Sequence, residues 1–445
     1  MFIGRLDELK KLNSLYNKGK NSSCIIYSIP GMGKTELVNA FITDKESIYH
    51  AFMDMTADDI GRSVELNYGK NSLYEIILDK LSSSDKKLVV VLEDFQYLVA
   101  ADKPEFIKVM ELINEPVYAQ KLMLICTSSS VKWIENEMAT ALGIVALRFD
   151  DISKLKEFSM LEIMSMFPNL SLEDAIKVYS VYGGIPGVLD FYNSKLSFKD
   201  NIKMLFGKNG VMNYYPEFLL KKELRELSQY NALLLAMAND CMKLNDIYAR
   251  TGFSRAKISV YIKNLIDIDV VEKIFSYNGM NNKNSMKGLY RIKIPFLYFY
   301  YRYIMFNQNH INSKNIDGII DEIIDNRLTV EYKRTYDNIC MDYLKLSCKY
   351  KKIDFDYVSC SGWHGKNGDI PIVLANDKEE IIIGFSKWED SMVDADDIKG
   401  FKKIIKSSKA APIKIYIFSK EGFTKQVLRK YKDDSCFVLI DNSQL

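Results

Sequence analysis

A short turn of small residues near the amino end of the chain has the groups that bind phosphate. Residues 24–37 read CIIYSIPGMGKTEL, an apolar strand, a glycine-containing turn and a helix that opens on Gly-Lys-Thr. Backbone N–H groups in such a turn point toward bound phosphates, and the helix amino terminus adds a positive field. We therefore predict a phosphate-binding loop made of Ser28, Ile29, Pro30, Gly31, Met32, Gly33, Lys34 and Thr35.

Individual residues of this loop have distinct expected roles. Lys34 would reach the terminal phosphates, and the Thr35 hydroxyl would ligate Mg²⁺. Gly31 and Gly33 let the backbone approach a ligand where a Cβ atom would collide. The motif usually begins with glycine, and this chain has the small residue Ser28 there.

A second pattern supplies carboxylates. Residues 86–98, KKLVVVLEDFQYL, form a buried strand that ends in Glu93 and Asp94. In nucleotide sites, carboxylates at this place hold Mg²⁺ and polarise the attacking water. The two patterns in this order predict a nucleotide site, with Thr35 and Glu93 on the metal and Asp94 orienting water. The alternative is a glycine turn followed by an ordinary core strand.

The composition limits the class of protein. A chain of 445 residues is long enough for about three domains, and 60 Lys and Arg against 58 Asp and Glu leave it nearly neutral. Seven scattered cysteines without Cys-x-x-Cys pairs indicate reduced thiols in a cytoplasmic protein. Three histidines argue against a His-rich metal site. We expect neither a signal peptide nor a membrane span, because no suitable apolar run occurs.

The order of patterns predicts an α/β chain built from five units. Residues 1–150 alternate apolar strands with helices, which is typical of a parallel sheet, with strands expected at 24–27, 47–53, 88–92, 122–127 and 145–149. Residues 151–220 look helical. Residues 221–305 have the three helices and hairpin of a winged helix, and residues 306–350 form a helical connector. In residues 351–445 strands and helices alternate again, with strands expected near 369–374, 379–385 and 413–418.

With these patterns placed, nearly the whole chain resembles archaeal-type P-loop ATPases of the AAA+/STAND group. Those proteins carry a winged helix and a C-terminal domain of unknown function with a restriction-endonuclease-like core. The resemblance rests on FIGRLDEL (2–9), EDFQYL (93–98), CTSSS (126–130), GGIP (183–186), LYRIKIPFLYFYYRY (289–303) and GDIPIVLANDKEEIIIGFSKW (368–388). It implies ATP and Mg²⁺ as ligands and a helical lid at 151–220. It also implies that the segment 2–9, with Arg5, lies beside the adenine, and that Thr127 or Ser128 senses the γ-phosphate.

The chain departs from the family pattern near the nucleotide site. The family's Asp-Glu pair is inverted to Glu93-Asp94, and misplacing a general base by about 1 Å can cost on the order of 100-fold in rate. An arginine that the family often has after the sensor strand aligns with Ile144, with Arg148 close by. We therefore expect nucleotide binding to survive better than hydrolysis.

The nuclease-like core departs further from the family pattern. Pro371 and Phe385 occupy the two positions where the family pattern places metal carboxylates. Lys387 is kept and Asp369 could supply one ligand, but one carboxylate is a poor Mg²⁺ site. We expect a degenerate nuclease fold that serves binding or packing.

The winged-helix segment is basic, with 14 Lys and Arg against 7 Asp and Glu in residues 221–305. On its third helix Ile258, Ile262 and Leu265 would face the core. The candidate contacts to double-stranded DNA are Arg255, Lys257, Ser259 and Lys263 on this helix, and Lys273, Lys283 and Lys287 on the hairpin. The alternative is a relay between ATPase and C-terminal domain whose basic face is only solvated.

Three functions are weighed. The favoured one is an ATP-binding switch in which slow Mg²⁺-dependent hydrolysis rearranges the domains. The second is a DNA-binding regulator or mobile-element factor with ATP as allosteric ligand. The third, an ATP-gated nuclease, is disfavoured by Pro371 and Phe385. Whether the chain binds a protein partner, and whether it forms an oligomer, are left open by the sequence.

Overall fold

The amino-terminal part of the chain is a five-stranded parallel sheet with the order β2-β3-β4-β1-β5. A computed structural model describes residues 3–207, 210–277, 288–307 and 316–445. The strands are β1 Ser22–Tyr27, β2 Ser47–Ala51, β3 Leu88–Glu93, β4 Leu122–Ser128 and β5 Asp151–Lys154. Because β1 lies beside β4, with β3 next in order, the carboxyl ends of these strands meet at one edge. The residues that follow them are therefore brought together.

Helices cover both faces of this sheet, as expected for parallel strands. The helices Leu6–Tyr16 and Lys34–Ile42 pack on one face, against alternate strand residues such as Val91 and Ile125. The other face packs, through residues such as Val90 and Leu124, against the helices Ala57–Tyr68, Leu73–Ser83, Gln96–Ala101, Lys103–Glu111 and Met138–Leu142. The predicted α/β class with a parallel sheet is confirmed.

The fifth strand differs from the prediction. Residues Gly143–Arg148 form a 3₁₀ helix, not a strand at 145–149, because Val145 and Ala146 pack into the core beside the sheet. The observed β5, Asp151–Lys154, pairs only with β1 and is partly exposed. Such an edge strand needs no apolar run, so the sequence contained no signal for it.

A group of short helices follows β5 and lies over the phosphate-binding loop; it is called the lid below. Its helices are Met160–Met166, Leu172–Tyr182, Pro186–Leu189, Phe198–Phe206 and Tyr215–Lys221. The turn 183–187 joins the second of these helices to the third. Gly183 has a φ of 67° there, a conformation that favours glycine.

The next elements have the order of a winged helix. The helices Leu227–Ala238, Leu244–Thr251 and Arg255–Asp267 precede the antiparallel hairpin of β6 Val271–Phe275 and β7 Gly288–Ile292. Lys283 and Lys287, expected on the hairpin, lie outside the described residues. The aromatic segment continues as the helix Pro295–Phe299 and a π-helical turn at Tyr300–Ile304.

The C-terminal part is a mixed sheet with the order β12-β11-β10-β9-β8. The helices Ile316–Asn326 and Thr329–Lys349 lead into it. Its strands are β8 Tyr357–Gly365, β9 Gly368–Asn376, β10 Ile381–Lys387, β11 Lys414–Ser419 and β12 Phe437–Asp441, with helices Ala395–Ser408 and Lys425–Tyr431. The three central strands were predicted. The two edge strands, β8 and β12, were not predicted.

One apolar core runs from the lid through the winged helix and the helix Thr329–Lys349 to one face of the C-terminal sheet. The other face of that sheet has its own core under Ala395–Ser408. The five unit boundaries given above stay predictions. In the described part of the chain, no helix is both long and apolar enough to cross a bilayer.

Candidate functional site

The phosphate-binding loop lies between the carboxyl end of β1 and the helix Lys34–Ile42. Gly31 and Gly33 have φ values of 82° and 80°, in the left-handed region that side chains disfavour. A Cβ atom on Gly31 would come within 3.1 Å of the Tyr215 hydroxyl and 3.3 Å of the Ile185 side chain. Both glycines are therefore required by conformation, and Gly31 also by the close approach of the lid.

Lys34 is folded back onto the loop. Its ammonium group donates to Ser28 O at 3.1 Å, Ser28 Oγ at 3.3 Å and Ile29 O at 3.2 Å. Burial lowers the pKa of Lys34 to about 8, while Asp94 and Glu93 oppose that change. The ammonium group is bound by neutral oxygens only, so phosphate oxygens could replace them and restore a full ionic partner.

Glu93 ends β3 beside the start of the loop helix. The Thr35 hydroxyl donates to Glu93 Oε1 at 2.5 Å, and the Tyr49 hydroxyl donates to Glu93 Oε2. Burial, followed by this hydrogen bond, raises the pKa of Tyr49. A hydroxyl beside a carboxylate is a set of hard oxygen ligands that suits Mg²⁺. The residues present therefore fit a phosphate-bound Mg²⁺ ion.

Tyr49 was not predicted as a site residue. It lies in β2 and is brought to Glu93 by the pairing of β2 with β3, in which Tyr49 is opposite Val91 and Ala51 opposite Glu93. A tyrosine in a short strand is common, so no sequence signal pointed to it.

Asp94 is turned toward β4. Its backbone has a φ of 51°, and its Oδ1 accepts hydrogen bonds from Ser129 N at 2.6 Å and from Gln96 Nε2 at 3.3 Å. The Asp94 N–H donates to Thr127 Oγ1 at 3.3 Å. The structure thus brings the predicted Asp94 and Thr127 together, with Thr127 bonded to the backbone of Asp94. Gln96, which sequence reasoning did not select, is buried and its Oε1 has no partner among the described residues.

Ser128 connects β4 to the loop. Its carbonyl accepts from Ser28 N at 3.2 Å, and its hydroxyl bonds to the backbone of Ser130 at 3.2 and 3.3 Å. Both sensor candidates lie at the site, and both have protein partners. Their roles toward a γ-phosphate stay predictions.

Arg5 lies beneath the loop. Its Nη2 donates to Met32 O at 3.0 Å, and its guanidinium group lies 4.8 Å from the ring centre of Phe158 at the start of the lid. Burial lowers the pKa of Arg5, and its Nε has no partner among the described residues. In this structure Arg5 joins the loop to the lid, and its predicted contact with adenine is not tested.

The lid touches the loop directly. Gly187 N donates to Gly31 O at 2.9 Å, and the Tyr215 hydroxyl donates to Pro30 O at 3.4 Å. A Cβ atom on Gly187 would lie 3.2 Å from the Gly31 Cα. Ile29 and Met32 are buried in the same apolar core as the lid, so the loop and the lid pack as one body.

The third winged-helix helix presents a polar face to solvent. Ile258, Ile262 and Leu265 are buried, and the exposed candidates for DNA contact are Arg255, Ser259, Lys263 and, on the hairpin, Lys273. Exposure leaves these four available to a phosphate backbone.

Lys257 is half-buried, unlike these four exposed candidates. Its Nζ donates to Gln229 Oε1 at 2.8 Å and lies 4.5 Å from the ring centre of Phe253 and 5.5 Å from that of Tyr261. These contacts within the domain make Lys257 a packing residue in this structure.

The nuclease-like positions form no metal centre in the described part of the chain. The Phe385 ring packs against Phe401 with a centroid distance of 4.8 Å. Lys387 is buried and pairs with Asp397 at 2.6 Å. Asp369 lies 3.3 Å from His364 Nδ1. Among the residues described, no three His, Cys, Asp or Glu side chains are grouped as metal ligands.

Comparison with known proteins finds a family model that matches part of the chain. The family DUF234, described as archaea bacterial proteins of unknown function, matches residues 300–399. An uncharacterized protein of Methanocaldococcus jannaschii is 24% identical over 430 residues, which cover 94% of each chain.

Solved structures with a similar arrangement include a Walker-type ATPase of Pyrococcus abyssi. It has a TM-score of 0.48 and 15% identity, with 68% of this chain and 96% of that chain covered. The ORC2 protein of Aeropyrum pernix has a TM-score of 0.45 and 13% identity, with 72% and 95% covered. The family match at 300–399 and the parallel sheet with its phosphate-binding loop support the resemblance to archaeal-type P-loop ATPases.

Proposed function

We propose that this protein is an ATP-binding switch of the AAA+/STAND type that hydrolyses ATP slowly. The observation that carries the proposal is the placement of Lys34 in a glycine-lined loop, next to a Thr35–Glu93 pair with oxygens 2.5 Å apart. Lys34 would bind the terminal phosphates, and Thr35 and Glu93 would hold Mg²⁺. The ion would neutralise phosphate charge during transfer to water.

Slow hydrolysis is supported by the partners of Asp94. Its Oδ1 accepts both hydrogen bonds, from Ser129 N and Gln96 Nε2, and this oxygen must leave them before it can orient a water molecule. One hydrogen bond to a charged group is worth about 1.5–3 kcal/mol, so loss of the Ser129 bond alone corresponds to a rate reduction of roughly 10- to 150-fold.

The structure also offers no nearby arginine after the sensor strand. Ile144 is exposed, and the carbonyl of Arg148 accepts from Ser23 Oγ at 3.2 Å. Ser23 lies at the amino end of β1, opposite to the loop. An arginine that stabilises the transition state contributes about 10³–10⁵ in rate where one is used, so its absence from this segment favours slow turnover.

Coupling to the other domains is supported by the lid turn. Gly187 bonds to the loop at Gly31, while a Cβ atom on Gly183 would lie 3.0 Å from Pro295, which follows the hairpin. The preceding lid helix bonds to the helix Thr329–Lys349 through Ser180 Oγ and Thr335 Oγ1 at 2.8 Å. A shift of Gly31 on phosphate binding would therefore move a turn that touches the winged helix and the connector.

The test is calorimetric titration with Mg-ATP. Wild type should give binding heat, and Lys34→Ala should give none, because the loop loses its only lysine. The control is Lys10→Ala, which removes a lysine that is 78% exposed and should bind as wild type does. Equal heat in wild type and Lys34→Ala would refute the proposal. Turnover measured with and without duplex DNA would then test the slow hydrolysis.

A second candidate, a DNA-binding regulator with ATP as allosteric ligand, is favoured by the exposed face of Arg255, Ser259 and Lys263. The protein should retard duplex DNA in a gel. The logarithm of the binding constant should fall with the logarithm of the salt concentration, with a slope of about −0.9 for each phosphate contact. Arg255→Glu with Lys263→Glu should abolish retention. Retention that these reversals do not change would exclude this surface.

A further inference from the structure

A large cleft lies far along the chain from the phosphate-binding loop. Its volume is about 1150 Å³, and its walls are the β6 hairpin strand, the helix Thr329–Lys349 and strands β8 and β9. The hairpin is fastened to β8, because Tyr277 N donates to Gly362 O at 2.8 Å and His364 N donates to Ser276 Oγ at 3.0 Å. These bonds fix the two walls relative to each other.

Most charged side chains in the cleft have partners. Arg291 Nε donates to Glu272 at 2.6 Å, and Lys333 pairs with Asp337 at 2.9 Å. Glu331 accepts from the Tyr303 hydroxyl at 2.9 Å. The carboxylates nearest the cleft wall are therefore already bonded within the protein.

Lys273 on the hairpin and Arg334 on the helix Thr329–Lys349 line the cleft without such partners; Lys273 is exposed to solvent, whereas Arg334 is half-buried. The Arg334 guanidinium group lies 4.9 Å from the ring centre of Tyr298, and within the described ranges it has neither a hydrogen bond nor an ion pair. Burial lowers the pKa of Arg334 and the neighbouring Arg291 lowers it further, while Tyr298 and the carboxylates of Glu331 and Glu272 act in the opposite direction. The Arg334 side chain lines the cleft, as do Val330 and Asn338 one helical turn before and after it.

A half-buried guanidinium group without a hydrogen-bond acceptor is costly, because the partial loss of its hydration is not repaid by hydrogen bonds. Its five donors lie in a plane that matches two oxygens of one phosphate. We propose that this cleft binds a phosphate-bearing ligand, with Arg334 as the anchor of the phosphate group. Asn338, Ser359 and Ser361 also line the cleft and can donate to phosphate oxygens.

The ligand is either a free phosphorylated small molecule or the backbone of a nucleic acid, since both present the same group. Small-molecule sites usually measure about 300–1,000 Å³, so a cleft of about 1150 Å³ can hold a nucleotide-sized ligand. The proposal does not depend on nucleotide binding at Lys34.

The experiment uses the full chain with Lys34→Ala, so that the phosphate-binding loop does not contribute. Inorganic pyrophosphate is titrated by calorimetry, and a fluorescein-labelled single-stranded oligonucleotide is followed by anisotropy. Arg334→Gln should weaken binding at least about tenfold, and Arg334→Lys should weaken it less because the charge is kept. The control is Arg62→Gln, at a side chain that is 76% exposed, which should change nothing.

Thermal unfolding distinguishes a binding role from a structural one. Without ligand, Arg334→Gln should unfold at the same temperature as its parent or higher, because a half-buried charge without a hydrogen-bond partner is removed. If only pyrophosphate binds in an Arg334-dependent way, the ligand of the cleft is a phosphorylated small molecule. If the oligonucleotide binds in an Arg334-dependent way, the ligand is a nucleic acid. If neither probe binds in an Arg334-dependent way, or if the variant only loses stability, the proposal is overturned.

Discussion

Lys34 should take up a proton when nucleotide binds at alkaline pH. Burial lowers its pKa from 10.5 to about 8, while Asp94 and Glu93 only partly oppose that change. Phosphate oxygens would supply negative charge at the same place and return the pKa toward its ordinary value. Binding and protonation are then linked.

The magnitude follows from these two pKa values. At pH 9 about one tenth of the empty protein carries a protonated Lys34, whereas nearly all of the complex does, so about 0.9 proton is taken up on binding. At pH 7 both forms are mostly protonated and about 0.1 proton is taken up. The observed affinity should therefore fall about tenfold between pH 7 and pH 9.

The assay is calorimetry with Mg-ATP in two buffers that differ in ionisation enthalpy, because the difference in heat counts the protons. Lys34→Arg is the matched control, since its guanidinium group stays charged at pH 9. If this variant still binds Mg-ATP, the binding should be accompanied by no proton uptake at residue 34. Wild type that binds at pH 9 without proton uptake would refute the reasoning.

The same pKa has a consequence for the empty protein. The folded state disfavours the charged form of Lys34, so the unfolded chain binds more protons between pH 8 and pH 10.5. The contribution of Lys34 to the free energy of unfolding should therefore increase as pH rises through this window. It is unfavourable and constant below about pH 8.

Two further substitutions test the lid and the acidic pair. Gly184→Ala should lower the free energy of unfolding by about 1–3 kcal/mol, because the new Cβ atom would lie 2.3 Å from Phe158 O. The control is Gly400→Ala, whose Cβ atom would meet nothing within 4 Å. In thermal unfolding this variant should be neutral or slightly stabilised. Equal effects would contradict this account of the lid turn. Glu93→Asp combined with Asp94→Glu restores the family's acidic order and should raise ATP turnover by about 10- to 100-fold. An unchanged rate in steady-state assays would show that the inversion is not what limits hydrolysis.

The loop could be predicted from the sequence because its contacts are local. Lys34 binds Ser28 and Ile29, which are only a few residues away, and the strand–turn–helix order fixes the path of the chain between them. The meeting of Asp94 with Thr127 was also predictable in outline, since adjacent parallel strands end at the same edge.

The contacts that sequence reasoning missed depend on side chains from distant elements. Tyr49 reaches Glu93 only because β2 pairs with β3, and Gln96 reaches Asp94 only because the chain turns at the positive φ of Asp94. Lys257 was expected on an exposed face, but the nearby rings of Phe253 and Tyr261 hold its side chain within the domain. Periodicity predicts the face of a helix and not the path of a long side chain.

In the structure described here, protein groups already bind the polar atoms that a nucleotide complex would use. The Lys34 ammonium group binds loop carbonyls, Glu93 accepts from two hydroxyls, and Asp94 accepts from Ser129 N. Exchanging carbonyls for phosphate oxygens at Lys34 replaces neutral partners with charged ones and is favourable. Freeing Asp94 replaces a charge-assisted bond with a bond to water and is unfavourable. Under the proposed function, binding at Lys34 and hydrolysis at Asp94 would therefore have opposite local energetics, as a long-lived ATP-bound state requires.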